Sequence, residues 1–527
     1  MEKRAELPET TKDEIIMVSR AEYESLQSEN KELAKKVNWL MEQMRLTRQK
    51  QFGASSEKSK YDCMDLFNEA EVLADEKEPE PKLAEVQSHY RKAAKQRKDR
   101  LPADLPVEVV EHFLEEDSCP ACQGKLHIMG KEIRRELKLI PAQATIVEHV
   151  YHTYACRNCE INACEVPIVK TPMEKPVIAG SFASAEAVAH IMTQKFACGL
   201  PLYRQEQEWH RMGIYLSRQT MSNWLLRCSE DWLEPIYQIM HKALCQEEIL
   251  HADETVLQVL HEPGKSAQSK SYMWVYRTSG DAKMPIVLFE YQPDRKAKRP
   301  MEFLTDFQGY LHTDGYAGYQ SLPEKIITVG CWAHARRKFD EALKSLPEKD
   351  REGSGALKGK RYCDELFAIE KKLLDYTAKE RQQKRQELAK PVLDGFLSYL
   401  HAAKISTKSG FGRAVQYTLN QWKYLERYLL DGRLEISNNR AERSVKPFVI
   451  DRKNFLFANT PRGAKASAII FSLIETAKEN DLNPYAYLTH IFKQAPNLDI
   501  HSNPDVLSRL LPSAAPDFCK VPKAATD

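Results

Sequence analysis

Hydrophobic residues recur at alternating spacings of three and four along residues 23–47. The seam consists of Tyr23, Leu26, Asn30, Leu33, Val37, Leu40 and Met44. This pattern predicts a short coiled coil over residues 20–50, in which a buried Asn30 fixes the register and favours two strands. We therefore expect a homo-oligomer, most simply a dimer. The alternative is a single amphipathic helix that packs on the rest of the protein.

Short β-rich runs replace this pattern between residues 247 and 331. Three runs (EEILHADETVLQVL, SYMWVYRTS and PIVLFEYQ) precede a helix-like RPMEFLTDF. Two more runs (GYLHTDGY and KIITVGC) precede the helical WAHARRKFDEALKSL. This order predicts an α/β core of ribonuclease H type over residues 245–345, with its first and fourth strands side by side.

Charged, helical sequence then occupies residues 346–431, and few strand formers appear there. We interpret this segment as a helical insertion into the core. Strand alternation does not resume after it, so residues 432–490 are predicted to complete the core mainly with helices. Residues 491–527 form a C-terminal tail.

A helix-turn-helix is one interpretation of residues 178–243. Gly213 can end one helix and Ser217 can cap the next. The second helix has an apolar face of Met221, Trp224, Leu225 and Cys228. Its outward Arg218, Asn223 and Arg227 are candidates for contact with DNA phosphates and base edges. An ordinary helical hairpin has the same pattern, so both remain open here.

Composition is that of a multidomain globular protein, with 527 residues, 42% hydrophobic and 29% charged. The net charge of +2 conceals a linker over residues 51–105 that ends in the basic run RKAAKQRKDR. That run is either a solvated face or a contact for DNA phosphates. No run of 18 apolar residues and no apolar N-terminal signal occurs, so we expect neither a membrane span nor secretion. The twelve scattered cysteines favour a reducing compartment.

Four cysteines form two C-x-x-C pairs, Cys119 with Cys122 and Cys156 with Cys159. Two such pairs supply four thiolates for a tetrahedral structural zinc ion, and the alternating sequence between them predicts a zinc ribbon over residues 106–170. The gap between the pairs exceeds the common spacing of about 15–20 residues. Disulfides are the alternative, and His152 or Cys164 could substitute as a ligand. A closed site of four thiolates leaves no open position for catalysis.

Asp253 and Asp314 fall on the predicted first and fourth strands of the core. Adjacent strands would bring these carboxylates together, and carboxylates are suitable ligands for Mg²⁺. Two divalent cations can assist phosphoryl transfer on DNA, for which a third acid from a later helix is needed. Alternatively, Asp253 is a solvated acid and Asp314 forms a turn with Gly315.

Several phrases resemble transposases of the insertion-sequence 66 family, over about residues 20–490. They are QFGASSEK, the two C-x-x-C pairs, PLYRQE, SRQTMSNW, HADET, HTDGYAGY, GCWAHARRKF, NNRAERSVKPFVIDRKNFLF and PRGAKASA. The resemblance implies a DDE-type core with Asp253, Asp314 and Glu442 as catalytic residues that hold two Mg²⁺ ions. Glu435 is the alternative third acid, but it falls in the turn before ISNN, whereas Glu442 falls one turn inside a helix. The resemblance also implies that water cleaves each transposon end and that the freed 3′-hydroxyl attacks target DNA. Small accessory proteins and a cytoplasmic location at the bacterial nucleoid are also implied.

Further residues near these motifs could contact DNA. On a helix, Asn438 and Asn439 share a face with Glu442, where they could orient the carboxylate, touch DNA or cap the helix. The residues after the fifth strand, His334, Arg336 and Arg337, could bind phosphate or be solvated. Strand alternation turns Glu254 away from Asp253.

Two rival functions remain at the level of sequence. A metal-dependent nuclease of the same fold would cut DNA without joining it. A dimeric DNA-binding protein with a zinc ribbon, a helix-turn-helix and an inert core would not be an enzyme.

Overall fold

The computed structural model describes residues 144–155, 168–403, 409–500 and 503–522. The predicted coiled coil, the linker and the four zinc-ribbon cysteines lie outside these residues. The chain divides into two compact units, and one of them, Tyr151–Pro522, contains the elements described below. It begins with a small antiparallel pair, β1 (Thr153–Ala155) and β2 (Ile168–Lys170), within the range predicted to form a zinc ribbon.

Four helices follow: α1 (Ala185–Phe196), α2 (Leu202–Arg211), α3 (Arg218–Cys228) and α4 (Glu234–Cys245). The hydroxyl of Ser217 accepts the N–H of Thr220 at 3.1 Å and caps α3, as predicted. Gly213 has a φ of 79°, which suits glycine in the turn after α2. The predicted apolar face of α3 is buried, namely Met221, Trp224, Leu225 and Cys228. The helices and the turn between α2 and α3 therefore form where the sequence predicts them.

A five-stranded mixed sheet lies at the centre, in the order β5–β4–β3–β6–β7. Its strands are β3 (Ile249–Gln258), β4 (Lys270–Thr278), β5 (Val287–Gln292), β6 (Gly309–His312) and β7 (Ile326–Val329). The first three strands pair antiparallel, whereas β6 runs parallel to both β3 and β7. Helix α5 (Lys298–Phe303) precedes β6, and α6 (Trp332–Lys344) follows β7. The mixed α/β core and the adjacency of its first and fourth strands are confirmed.

The segment between the sheet and Glu442 is helical. It contains α7 (Gly355–Lys372), α8 (Ala378–Lys384), α9 (Lys390–Ala402) and α10 (Gly410–Leu425). Helices α7, α9 and α10 share a hydrophobic core with α6 that includes Phe339, Leu366 and Phe396. Buried Arg385 pairs with Glu370 at 2.7 Å and donates to the carbonyls of Tyr428, Asp431 and Leu434 at 2.8–2.9 Å. This guanidinium thus fixes the chain as it returns towards the sheet.

Three helices complete the unit: α11 (Asn439–Phe455), α12 (Pro461–Glu479) and α13 (Pro484–Gln494). Helix α12 is buried continuously from Ala468 to Ala477. Its Ser472 and Thr476 hydroxyls accept the N–H groups of Phe289 and Val287 on edge strand β5, at 2.7 and 3.0 Å. Covering an edge in this way prevents it from pairing with another chain.

Candidate active site

Two aspartates lie where the pairing of β3 with β6 ends. The last pair in the parallel register is His251 opposite His312, and Asp253 and Asp314 each lie two residues further along the chain. The carboxyl ends of parallel strands meet at one edge of a sheet, which is the usual position for sites in α/β folds. The fold therefore brings together two acids that are far apart in sequence.

The turn after Asp314 is held by helix α10. The hydroxyl of Tyr417 donates to the Asp314 carbonyl at 3.1 Å, and the N–H of Tyr316 donates to its carboxylate at 2.8 Å. Gly315 has a φ of 91°, and a Cβ at this position would lie 3.0 Å from Gln421 Oε1. Glycine is thus required both by the backbone conformation and by the close approach of α10.

Glu442 lies in the first turn of α11, where its N–H donates to the carbonyl of Asn438 at 3.2 Å. Its carboxylate faces α6. Oε1 is 3.7 Å from Nδ1 of His334, and Oε2 is 3.4 Å from Nη2 of Arg337. Oε1 is also buried and has no hydrogen-bond partner among the described residues. The third acid predicted from the sequence therefore lies on a helix, with one buried oxygen atom that has no hydrogen-bond partner among the described residues.

Asp253 is affected by burial and by the negative charges of three other acids. Burial raises the pKa of Asp253 well above its ordinary value, and the negative charges of Glu254, Asp314 and Glu442 raise it further. The N–H of Glu254 donates to the Asp253 carboxylate at 2.9 Å, which opposes this shift only in part. A cation at this edge of the sheet would relieve the repulsion.

Glu254 and Arg295 are the neighbours that the sequence did not identify. Arg295 donates to Glu254 Oε1 from Nε at 2.6 Å, and its Nη2 lies 4.0 Å from Asp314 Oδ2. Tyr319 donates to the other Glu254 oxygen at 2.6 Å. The guanidinium also lies 3.8 Å from the ring centroid of Tyr316. Glu254 is thus linked to Asp314 through Arg295, although strand alternation predicted that it would be turned away. In the sequence, only the position of Glu254 directly after Asp253 in HADET indicated that it could belong to the site.

The three candidates on α6 have different surroundings. His334 and Arg337 face Glu442, as described above. Arg336 instead pairs with Asp364 of α7, and Lys360 donates to the same carboxylate at 2.9 Å. The structure thus brings His334 and Arg337 to the site and leaves Arg336 bonded to the helical segment.

The two asparagines before Glu442 also differ. Asn438 is completely buried, with its amide hydrogen-bonded to His251 and to the carbonyl of Ala252. A buried amide has no surface to offer DNA, so the predicted contact of Asn438 with DNA does not fit this structure. Its neighbour Asn439 is exposed at the start of α11.

The candidates on α3 are at the surface. Arg218 and Arg227 have 63% and 52% of their side chains exposed, and Asn223 is exposed as well. The two arginines have only loose ion pairs, at 4.0 Å to Glu206 and 3.7 Å to Asp231. All three side chains are therefore accessible.

Among the described residues, one group of three possible metal ligands has donor atoms within 4.8 Å of one another, namely Cys331, His334 and Glu442. The Cys331 sulfur accepts the Asn438 N–H at 3.1 Å. Burial raises the pKa of this thiol to about 11, so it is protonated at neutral pH. A metal ion would have to displace that proton before it could use the sulfur.

Comparison with known families identifies the class of protein that has this fold and site. Residues 180–466 match the model described as Transposase IS66 family. Three accessory models also match: the zinc-finger binding domain of transposase IS66 at 116–160, Transposase C of IS166 homeodomain at 39–110, and the IS66 C-terminal element at 472–513. The chain belongs to the transposase IS66 family, and this membership implies DNA binding and transposition. The zinc-finger match contains all four cysteines of the two C-x-x-C pairs.

Relatives in Sinorhizobium fredii (strain NBRC 101917 / NGR234) extend over most of the chain. Uncharacterized protein y4jD is 31% identical over 438 residues, which cover 80% of this chain and 83% of that protein. Uncharacterized protein y4qI is 28% identical over 496 residues, or 90% of this chain and 89% of that protein. Within the part of the chain that the structure describes, no helix is both long and apolar enough to cross a membrane.

Proposed function

We propose that this protein is a DDE transposase that cleaves the ends of its insertion sequence and joins them to target DNA. The observation that carries this proposal is that Asp253 and Asp314 follow the last pair of the β3–β6 register and that the negative charges of Asp314 and Glu442 act on Asp253. The strand order and the following helices support a ribonuclease H-like core. On this view, residues 346–431 are a helical insertion between the second and third acids.

Magnesium fits the three carboxylates. Hard oxygen ligands suit Mg²⁺, the pKa of Asp253 is raised by burial and by its acidic neighbours, and one Glu442 oxygen lacks a partner among the described residues. Two divalent cations, when bound there, would activate the attacking oxygen and stabilise the leaving oxygen of a phosphodiester.

The surrounding side chains would orient the DNA. Arg337 is half-exposed beside Glu442 and can turn towards a phosphate, for which its planar fork is well suited. Arg295 holds Glu254 and faces Asp314, so it limits the movement of the second acid. His334 lies on the other side of Glu442 and can hydrogen-bond to that carboxylate or to a phosphate.

Helix α11 provides a path for the DNA backbone away from the acids. Asn439, Arg443, Lys446 and Lys453 are exposed at helical spacing along one side of it. The three cations have no ion-pair partner among the described residues. Phosphate contacts from such a stripe would supply sequence-independent affinity, and the exposed residues of α3 would add recognition of the transposon end.

The terminal regions would support assembly. Zinc held by Cys119, Cys122, Cys156 and Cys159 would stabilise the ribbon, and a coiled coil over residues 20–50 would pair two protomers so that two DNA ends are held together. Small accessory proteins of the same element are further proposed partners.

The decisive experiment compares Glu442→Gln with the wild type on labelled transposon ends. We expect Glu442→Gln to abolish Mg²⁺-dependent cleavage and strand transfer while specific end binding persists, because an amide keeps the shape but is a poorer metal ligand. Near-wild-type cleavage by Glu442→Gln would overturn the assignment. Cleavage by the wild type without joining to target DNA would instead identify a nuclease, and end binding without cleavage would identify a DNA-binding protein.

A further inference from the structure

Two histidines, each two residues before one of the aspartates, form a buried stack. The rings of His251 and His312 lie 4.4 Å apart with an interplanar angle of 11°. Both side chains are completely buried, at paired positions of β3 and β6. Strands β3 and β6, which carry Asp253 and Asp314, therefore contact each other through these stacked side chains as well as through backbone hydrogen bonds.

Each ring also bonds to the segment that leads into α11. Nδ1 of His251 lies 3.0 Å from Oδ1 of Asn438, and the N–H of Glu435 donates to Nε2 of His312 at 3.3 Å. The amide of Asn438 donates from Nδ2 to the Ala252 carbonyl, so its Oδ1 must accept from His251. His251 therefore carries a proton on Nδ1, and His312 presents Nε2 as an acceptor.

Asn438 connects these rings to the third acid. Its side chain bonds to two consecutive residues of β3, His251 and Ala252, and its backbone N–H donates to Cys331 at the start of α6. Its carbonyl accepts the N–H of Glu442 one helical turn later. Any shift of Asn438 is therefore transmitted to Glu442 through a single turn of helix.

We propose that His251, His312 and Asn438 form a clamp that sets the distance between Glu442 and the two aspartates. The three are positioning residues, since none of them can reach a phosphate from its buried position. This inference rests on the proposed metal site. It adds that the site depends on which ring nitrogen each histidine presents, because each ring uses a different nitrogen towards the segment before α11.

The test exchanges each histidine for the two amides that imitate its two nitrogens. When asparagine replaces histidine, its side-chain amide lies near the position of the ring Nδ1. The amide of glutamine, which is one carbon longer, lies near the position of Nε2. His251→Asn and His312→Gln therefore keep the bonds to residues 435–438, whereas His251→Gln and His312→Asn lose them. Mn²⁺ binding by the full chain, followed by electron paramagnetic resonance, is the readout besides DNA cleavage. Loss of a residue that hydrogen-bonds to or orients a metal ligand typically weakens metal binding about 10–100-fold. We expect weaker Mn²⁺ binding only in His251→Gln and His312→Asn, the variants that lose the bonds.

Controls separate the clamp from general destabilisation and from the proposed function. Ser472→Ala removes another buried bond between a helix and the sheet, so it should lower the thermal midpoint without changing Mn²⁺ affinity. If Asp253→Asn binds Mn²⁺ as the wild type does, the metal site itself is wrong. If Asp253→Asn loses Mn²⁺ but all four histidine variants bind it equally well, the clamp alone is wrong. The clamp would also be wrong if His251→Asn and His312→Gln both unfold, or if all four histidine variants lose Mn²⁺ affinity equally.

Discussion

Arg337 of α6 and Glu442 of α11 face one another across the candidate active site, with Nη2 of the guanidinium 3.4 Å from Oε2 of the carboxylate. The preceding residue, Arg336, is turned to Asp364 of the helical segment. Two adjacent arginines thus have the same chemistry but different surroundings, which makes them a matched pair for experiment.

We expect Arg337→Gln to slow DNA cleavage about 10–100-fold, because a charged hydrogen bond to a phosphate contributes about 1.5–3 kcal/mol. Arg336→Gln should leave the cleavage rate near that of the wild type, since its partner pair is at the surface. Single-turnover cleavage of a labelled transposon end measures both rates. An equal loss in the two variants would remove the special role of Arg337.

Arg385 should be essential for stability. Its buried pairing with Glu370 and its bonds to the returning chain would be lost in Arg385→Ala, which would leave a carboxylate and several carbonyls without partners. We expect a loss of about 3–5 kcal/mol in the free energy of unfolding, measured by urea denaturation. Lys384→Ala, at the neighbouring position, removes only a partly exposed ion pair with Glu387 and should change the unfolding midpoint little. A mild effect of Arg385→Ala would show that water replaces these bonds.

Stability should fall with rising pH through the ionisation of Glu290. Burial raises its pKa to about 7, whereas an unfolded glutamate titrates near 4.3. The folded state therefore holds more protons between these values, and its stability decreases as pH rises through this window. We expect Glu290→Gln to be more stable than the wild type by about 1–3 kcal/mol at pH 8 but not at pH 4.5. Chemical denaturation at both pH values checks this, and Glu365→Gln at an exposed position should show no such difference.

Zinc binding should depend on the two C-x-x-C pairs. Cys119→Ser should release the metal and destabilise residues 106–170, because metal binding energy is folding energy in such sites. Elemental analysis of the purified protein is the measurement. Cys198→Ser, which changes an exposed free cysteine, should retain full zinc content. A wild-type protein without zinc would refute the prediction.

Helix α3 should contribute to recognition of the transposon end. Arg227→Gln should weaken binding to all DNA sequences and reduce the salt dependence of binding by about one phosphate contact. Asn223→Ala should instead relax specificity by about 1–3 kcal/mol at one base pair. Binding isotherms at several salt concentrations distinguish these effects, with Arg361→Gln on α7 as the exposed control. Unchanged end binding in both variants would make α3 structural.

Local pattern predicted the elements well, for reasons visible in single residues. The buried face of α3 follows the helical period of Met221, Trp224, Leu225 and Cys228, and Ser217 caps it with its own hydroxyl. Gly315 marked the turn after Asp314, because few other residues adopt its backbone conformation. Such signals lie within a few residues of the structure that they specify.

Side-chain partners from distant segments could not be predicted in the same way. Arg295 lies in a loop with no motif, yet it joins Glu254 to Asp314. Asparagine is a residue type that commonly caps helices at the surface, but Asn438 is buried against β3. The repeated phrase His-x-Asp in HADET and HTDGY was a signal for the stacked histidines, but only the register of β3 with β6 places the rings together.

The position of the helical segment between Asp314 and Glu442 also affects how the protein is made. Ribosomes add about 5–20 residues per second, so both aspartates emerge well before the third acid. The Tyr417 hydroxyl that holds the Asp314 backbone and the Asn438 amide that anchors α11 emerge late as well. A chain still being translated, or one terminated early within residues 346–431, has both aspartate-bearing strands but lacks the residues that complete the site.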